Sequence, residues 1–198
     1  MKKYSFLVSI IILLSSCAST YKPYLPERLT YAETITDRGI TYSISSDVLV
    51  KTRNRKYSKK AARKSVEMLG VQVTNNTGRA IILAQDILIT SDGQSLDPLQ
   101  PEEVQKLIKQ HAGLYMLWGL LWINFTRCAG YNCNTTPIPI GLAIGIANLS
   151  IASKANKNLL AHLREENILN VEIANGETVH GIISVKGPLP GPVKLQLK

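Results

Sequence analysis

The chain has 198 residues, of which 45% are hydrophobic and 19% are charged. This length and composition allow a domain with a sizeable hydrophobic core and exclude disorder along the whole chain. Lysine and arginine number 23 against 14 aspartate and glutamate residues, which gives a formal net charge of +9. The basic balance predicts contact with anionic partners.

The first seventeen residues are organised like a secretory leader. Lys2 and Lys3 precede the apolar run Phe6–Leu14, and small residues follow it. A basic start, a short apolar run and small residues before a cleavage site are typical of a signal peptide. The segment Leu14-Ser15-Ser16-Cys17 resembles the lipobox of bacterial lipoproteins, which signal peptidase II recognises. The resemblance implies removal of residues 1–16 and attachment of lipid to the sulfur and new amino terminus of Cys17.

Two other interpretations of the leader stay open. It can be an ordinary signal peptide with an incidental cysteine, or an anchor that is not cleaved. The apolar run is shorter than the about 20 residues that a membrane-spanning helix needs. Length therefore argues against the anchor.

The lipobox resemblance also implies a cellular location and a set of partners. In the family, aspartate after the lipidated cysteine is an inner-membrane signal in some Gram-negative bacteria, so Ala18 favours the outer membrane. Without the leader the formal charge falls from +9 to +7, because residues 1–16 contain two lysines and no acid. The expected partners are membrane lipid through acylated Cys17, an anionic lipid or glycan, and an unknown protein, but not nucleic acid. The polar, proline-containing residues after Cys17 predict a tether, so that residues 17–38 form the lipidated cysteine and its linker.

Residues 39–92 are predicted to form β-strands. Residues 40–45 and 69–74 alternate apolar with polar side chains, and residues 81–89 carry the same alternation onwards. Residues 47–51 are predicted either to continue the first strand or to begin the antiparallel strand that returns from it. Alternation on one face is typical of antiparallel strands with one buried side.

A basic run occupies residues 51–64 and contains no acid. Such a run can bind phosphate groups of anionic lipids or an acidic glycan, or it can be a solvated loop between two strands. Its candidate contact residues are Lys51, Arg53, Arg55, Lys56, Lys59, Lys60, Arg63 and Lys64.

Residues 101–166 are predicted to be a helical insertion. Pro101, the acids after it and the lysines near residue 109 indicate a short amphipathic helix over residues 101–111. The apolar runs 112–125 and 139–152 then predict a helical hairpin, and the second run continues as an amphipathic helix to residue 166. Gly141 and Gly145 are four residues apart, a spacing that lets two helices approach closely. The hairpin either packs against the sheet or inserts into the membrane, and the arms are too short to span a bilayer.

The polar tip of this hairpin contains Cys128 and Cys133. With Cys17 assigned to lipid, two cysteines remain in an oxidising compartment, which favours a disulfide over two thiols. Two ligands cannot complete a tetrahedral zinc site, so we expect no metal there.

Residues 168–198 return to strand-like alternation, with turn signals at Asn175-Gly176 and in residues 187–192. The fold class is therefore mainly β with an α insertion (α+β): an immunoglobulin-like antiparallel sandwich carrying an apolar helical hairpin. We expect one domain over residues 39–198. The order of elements resembles that of uncharacterised envelope lipoproteins, a resemblance that implies no activity.

The sequence contains none of the common hydrolase, zinc-protease or phosphate-loop motifs, and its three histidines share no ligand spacing. We therefore expect no catalytic residue, no metal and no cofactor apart from the covalent lipid. The preferred hypothesis is a lipid-anchored, non-enzymatic binding or structural module at the outer membrane. The alternative is a membrane-assembly subunit whose glycine-containing helical hairpin inserts or oligomerises. An envelope hydrolase has no supporting motif.

Overall fold

A computed structural model describes residues 17–187 and 189–198 of the chain. The expected signal peptide, residues 1–16, lies outside this range. The described residues have an α+β fold in which strands pair into several antiparallel sheets. They divide into two compact units where a single domain was expected. The sheet unit comprises Tyr21–Lys109 and Lys157–Lys198, and the hairpin unit comprises Gln110–Asn156 and residues 17–20.

The described part of the chain contains the following strands and helices. The strands are β1 (Ile35–Asp37), β2 (Ile40–Ser45), β3 (Val66–Asn75), β4 (Ile81–Ile82), β5 (Ile87–Ser91), β6 (Gln94–Ser95), β7 (Ile123–Ala129), β8 (Asn132–Ile138), β9 (Glu172–Ile173), β10 (Thr178–Lys186) and β11 (Val193–Leu197). The α-helices are α1 (Val48–Lys51), α2 (Arg55–Lys64), α3 (Leu83–Asp86), α4 (Pro101–Ile108) and α5 (Ile140–Glu165). Two 3₁₀ helices cover Pro26–Arg28 and Ala112–Leu120.

The sheet unit is built on a four-stranded antiparallel sheet with the order β1-β2-β3-β10. The long strand β3 is its centre, with Tyr42 of β2 and Val179 of β10 both opposite Val73. Side chains alternate across a strand, so this register places the apolar residues of neighbouring strands on one face. That face forms the core.

One hydrophobic cluster joins the sheets of this unit. It takes Ile40, Leu69 and Val71 from the four-stranded sheet, and Ile89 and Leu195 from the three-stranded sheet β11-β5-β6. The two-stranded pair β4-β9 adds residues to the same cluster. The hydrophobic effect therefore acts on all three sheets through one shared core.

The prediction of strands throughout residues 39–92 is wrong in two places. Residues 47–64 contain the helices α1 and α2, and α3 interrupts the alternating segment between β4 and β5. In α2, Tyr57 and Ala61 are buried, and their spacing of four residues places them on one helical face. Lysine, arginine and alanine favour helix, so the basic run forms an amphipathic helix rather than a loop.

The residues after Cys17 do not form the expected tether. Tyr21 is only 4% exposed, and the Lys22 amide donates to Asn54 Oδ1 at 2.8 Å. The first 3₁₀ helix and β1 follow, and β1 pairs with β2. Specific side-chain contacts therefore fix this segment despite its polar, proline-containing composition.

The hairpin unit differs from the expected pair of helices. Its first arm is the 3₁₀ helix Ala112–Leu120, and the polar tip belongs to the antiparallel ribbon β7-β8. The second arm is the helix expected there, and α5 runs without interruption from Ile140 to Glu165. Pro139 lies between β8 and α5, where its missing amide hydrogen is required by neither element, whereas Pro137 is accommodated within the two-stranded ribbon opposite Asn124.

Within the described residues, we find no helix with both the length and the hydropathy required to cross a membrane.

Candidate functional site

The chain immediately after Cys17 is fixed to the hairpin unit by side-chain amides. The Ala18 amide donates to Asn148 Oδ1 at 2.6 Å. The Ser19 amide donates to Gln110 Oε1 at 3.1 Å, and Gln110 Nε2 donates back to the Ser19 carbonyl at 2.6 Å. A lipid attached to Cys17 would therefore project from the hairpin unit.

A second buried amide pair holds Gln110 in place. The Gln110 amide donates to Asn156 Oδ1, and Asn156 Nδ2 donates to the Gln110 carbonyl, both at 2.8 Å. Asn148 and Asn156 lie two helical turns apart on α5, and both are buried. Buried amides with satisfied partners specify one arrangement of the chain, because each lost partner leaves a desolvated polar group. These residues were not predicted from the sequence, where the available signal was asparagine within or beside an apolar helical run.

Gly141 and Gly145 allow the 3₁₀ helix to lie directly on α5. A methyl group at Gly141 would overlap the Trp118 carbonyl oxygen. A methyl group at Gly145 would lie 3.0 Å from the Tyr115 carbonyl oxygen. The close approach expected at these two glycines therefore occurs inside the unit, between α5 and the segment 112–120.

The β7-β8 ribbon is closed by a two-residue turn and a disulfide. Gly130 is the first turn residue and has a φ of +62°, which suits the glycine of a type II′ hairpin turn. Cys128 and Cys133 are directly paired across the strands, and their sulfurs are bonded. The guanidinium of Arg127 lies 5.5 Å from the centre of the Phe125 ring, within the range of a cation–π contact.

An exposed apolar row follows the 3₁₀ helix into β7. Leu114, Leu117 and Leu120 are spaced by three residues and therefore lie on one face of a 3₁₀ helix. Their exposed fractions are 62%, 62% and 77%, and Trp122 is 59% exposed. The row continues in β7, and we define it as Leu114, Leu117, Leu120, Trp122, Ile123 and Phe125.

The hairpin unit combines this surface with very little charge. Between residues 110 and 156, Arg127 and Lys154 are the only charged residues, and there is no acid. In the same range, Ala152 and Ala155 are the only buried hydrophobic residues. The large apolar side chains of the unit are therefore not collected into a core of their own.

The sheet unit carries a basic surface on α2. Arg55, Lys59, Arg63 and Lys64 are exposed, while Lys56 and Lys60 are partly exposed. In the described chain, Lys59, Lys60, Arg63 and Lys64 form no ion pair with a carboxylate. Of the other candidate residues, Lys51 donates to Ser45 Oγ at 3.0 Å and Arg53 is exposed between α1 and α2.

Two lysines distant in sequence join the basic surface. Lys60 Nζ donates to the Lys109 carbonyl, and Lys186 Nζ donates to the Lys64 carbonyl. Partial burial, together with Lys64, Lys109 and Arg63, lowers the pKa of Lys60 below its usual range. The basic surface therefore contains more positive charge than the run 51–64 alone supplies.

A buried histidine holds the N-terminal segment of the sheet unit on α5. His162 is 5% exposed, and its Nε2 donates to the Tyr24 carbonyl at 2.7 Å. Nδ1 then accepts from the Tyr21 hydroxyl at 2.8 Å. Burial lowers the pKa of His162, while the Tyr24 carbonyl and Glu165 oppose this shift. A neutral imidazole protonated at Nε2 satisfies both partners, in agreement with the direction of the pKa shift.

A cavity of about 710 Å³ adjoins this histidine. Burial raises the pKa of Tyr24 above its usual range, and its hydroxyl finds no hydrogen-bond partner in the described chain. Both His162 nitrogens are already engaged, so the imidazole acts here as a structural connection. The charged lining residues are Arg28, Lys51, Glu165 and Glu166.

Among the described residues, no group of histidine, cysteine, aspartate and glutamate side chains is arranged to hold a metal ion. Comparison of the chain with protein-family models, with curated proteins and with solved structures finds no match in any of the three.

Proposed function

We propose that this chain is a lipid-anchored protein of the bacterial envelope, held at the outer membrane of a Gram-negative bacterium through acylated Cys17. In this proposal it works as a non-catalytic binding or structural module. The observation that carries the proposal is the junction behind Cys17. A lipobox-like segment leads directly into residues whose backbone is hydrogen-bonded to Asn148 and Gln110. A lipid at this point would hold a fixed surface against the membrane, since no long tether follows it.

The engagement of His162 supports a non-catalytic role. A general base needs a ring nitrogen within reach of the proton that it removes. Both nitrogens of His162 instead hold backbone and tyrosine groups of the protein. The cavity beside it therefore offers charged and hydroxyl groups for binding but no activated nucleophile around this histidine.

The basic surface on α2 is the proposed contact with an anionic lipid or glycan. Lysine and arginine each contribute about 1 kcal/mol near an anionic membrane surface. Replacing Lys59 and Arg63 together by glutamate should therefore weaken retention on phosphatidylglycerol-containing vesicles by about 2 kcal/mol or more, roughly thirtyfold. Both side chains are exposed, and neither forms an ion pair with a carboxylate in the described chain, so the fold should be retained.

The matched control is the double variant Lys157→Glu with Lys194→Glu, which changes net charge equally at two exposed sites outside α2. Retention is measured by vesicle flotation, and binding to neutral vesicles is subtracted. Equal loss in both double variants would mean that net charge alone acts, and it would remove α2 from the proposal. Salt should weaken the contact, because exposed charges are screened within about 10 Å at 0.1 M.

The immunoglobulin-like arrangement is part of the proposal for the sheet unit. We propose that the four-stranded and three-stranded sheets form the two layers of such a sandwich. The shared core supports this, since Val73 and Val185 of one sheet and Ile87 and Val193 of the other belong to one buried cluster.

The alternative is a membrane-assembly subunit whose glycine-containing hairpin inserts or oligomerises, and its oligomerising form must account for the surroundings of Gly141 and Gly145. The faces of both glycines are covered by the 3₁₀ helix of the same unit. A second helix could reach them only by displacing residues 112–120.

A further inference from the structure

The hairpin unit has most of the large exposed apolar side chains of the described chain. Of nineteen such residues, fourteen lie between Leu114 and Ile151. A soluble monomer rarely exposes a contiguous apolar patch of more than a few hundred Å², and larger patches mark contacts with protein or membrane. The concentration in one unit indicates a specific partner for this surface.

The β7-β8 ribbon needs such a partner in order to be stable. Every residue of both strands is exposed, so neither face of the ribbon is covered. An isolated two-stranded hairpin is marginally stable in water. The disulfide and the turn hold its strands together, but they do not bury Ile123 or Phe125.

The chemistry of the unit favours lipid over a second protein. Its residues 110–156 contain no acid and two basic side chains, which suits a surface of apolar chains beneath phosphate headgroups. Tryptophan and tyrosine are enriched at the membrane–water interface, and Trp122 and Tyr131 are both exposed here. The ribbon end is polar and uncharged apart from Arg127, with Asn132 and Asn134 beside the turn.

The dimensions of the 3₁₀ helix favour a shallow position. Its nine residues extend about 18 Å at 2.0 Å per residue, against about 30 Å for the hydrocarbon layer. The leucines of the apolar row lie along one side of this helix. A helix that lies in the plane of the membrane can bury such a row while its opposite side packs against α5.

We infer that the hairpin unit is a second membrane contact, with the apolar row inserted among lipid acyl chains and the polar end of the ribbon among headgroups. The inference deepens the proposed function, because it places Cys17 and the apolar row on one lipid-facing unit. It does not depend on acylation, since the row itself makes the contact.

The test uses the chain from residue 17 carrying Cys17→Ser, with neutral phosphatidylcholine vesicles. Both tryptophans of the chain, Trp118 and Trp122, lie in the hairpin unit, so tryptophan emission reports on this unit alone. We expect a shift of emission to shorter wavelength and flotation with the vesicles at both 0.1 M and 1 M salt. Persistence at 1 M salt separates this contact from the basic surface, because the screening length there is only about 3 Å.

A pair of double variants assigns the contact to residues. Leu117→Ser with Leu120→Ser should reduce vesicle partitioning by at least about tenfold, because two large apolar side chains no longer enter lipid. The matched control, Val50→Ser with Leu88→Ser, removes two exposed apolar side chains from the sheet unit and should partition like the parent. All four substituted side chains are exposed, so neither double variant should alter the protein core.

Two results would overturn the inference. One is unchanged emission and no flotation with neutral vesicles. The other is self-association that shifts emission before vesicles are added and that the leucine variants abolish, which would assign the row to a second copy of the chain. Acylation of wild-type Cys17 is measured separately, so a failure of the lipid anchor and a failure of this contact give different results.

Discussion

Replacing Gly141 by alanine is expected to destabilise the hairpin unit by about 1–3 kcal/mol, the usual cost of forcing extra volume into a packed site. The added methyl group would overlap the Trp118 carbonyl oxygen, a backbone atom that cannot rotate away. To relieve this overlap, either the 3₁₀ helix must move away from α5 or α5 must shift. Alanine is a better helix former than glycine, so a loss of stability here must come from the packing.

Unfolding in urea, followed by tryptophan emission, measures this effect. Both tryptophans belong to the hairpin unit, and Trp118 lies at the contact itself. The control is Gly113→Ala, where an added methyl group would meet nothing within 4 Å. A lower midpoint for Gly141→Ala alone would support the packing described here. If both variants unfold at the parental midpoint, then the 3₁₀ helix does not lie against Gly141.

Replacing His162 by glutamine should destabilise the sheet unit by about 1–3 kcal/mol at pH 7.5, the cost of leaving a buried partner unsatisfied. Glutamine has a different shape and cannot bond the Tyr21 hydroxyl and the Tyr24 carbonyl with the geometry of a ring. Far-ultraviolet circular dichroism during urea unfolding measures the loss. His111→Gln is the control, because His111 is exposed.

The same histidine predicts a pH dependence. Burial lowers the pKa of His162 in the folded protein, so the unfolded chain takes up a proton first as the pH falls. Stability should therefore be complete above about 6.5, the ordinary histidine pKa, and should fall below it towards the lowered folded value. His162→Gln should lose this part of the dependence while His111→Gln keeps it. An identical pH profile in His162→Gln and the parent would contradict the assignment.

Elements specified by neighbouring residues were predictable from the sequence. The helix beginning at Pro101 has Glu103 within reach of the Gln100 amide, at 3.0 Å, and local signals of this kind are visible in the sequence. The alternation in β2, β3 and β11 likewise follows from residues in the segment itself. The pairing of Cys128 with Cys133 was also open to sequence reasoning, because only two cysteines remained after Cys17.

The secondary structure of the first hairpin arm could not be predicted from its apolar composition. A continuous apolar run does not distinguish a buried helix from other structures, since it has no period. Here Gly113 and Gly119 weaken the α-helix, and the β-branched and aromatic residues after Trp122 favour a strand. For the basic run, residues 51–64, the loop considered from the sequence was wrong because most of the run is helical. Its like charges indicated a solvated loop, although Tyr57 and Ala61 already supplied a narrow buried stripe.

The contacts that fix the residues after Cys17 depend on distant parts of the chain. Asn148 is 130 residues from Ala18, and His162 is 141 residues from Tyr21. No local pattern in residues 17–38 indicates these partners. For the same reason the enlargement of the basic surface by Lys109 and Lys186 becomes visible only in the folded chain.

Acylation of Cys17 is the modification that would hold the hairpin unit at the membrane. Mass spectrometry of the amino-terminal peptide, from protein purified out of a Gram-negative outer-membrane fraction, measures this modification. We expect a peptide that begins at Cys17 and carries lipid on its sulfur, and Cys17→Ala should lack both the cleavage and the lipid. A peptide that begins elsewhere, or an unmodified Cys17 in protein that still fractionates with the outer membrane, would contradict it.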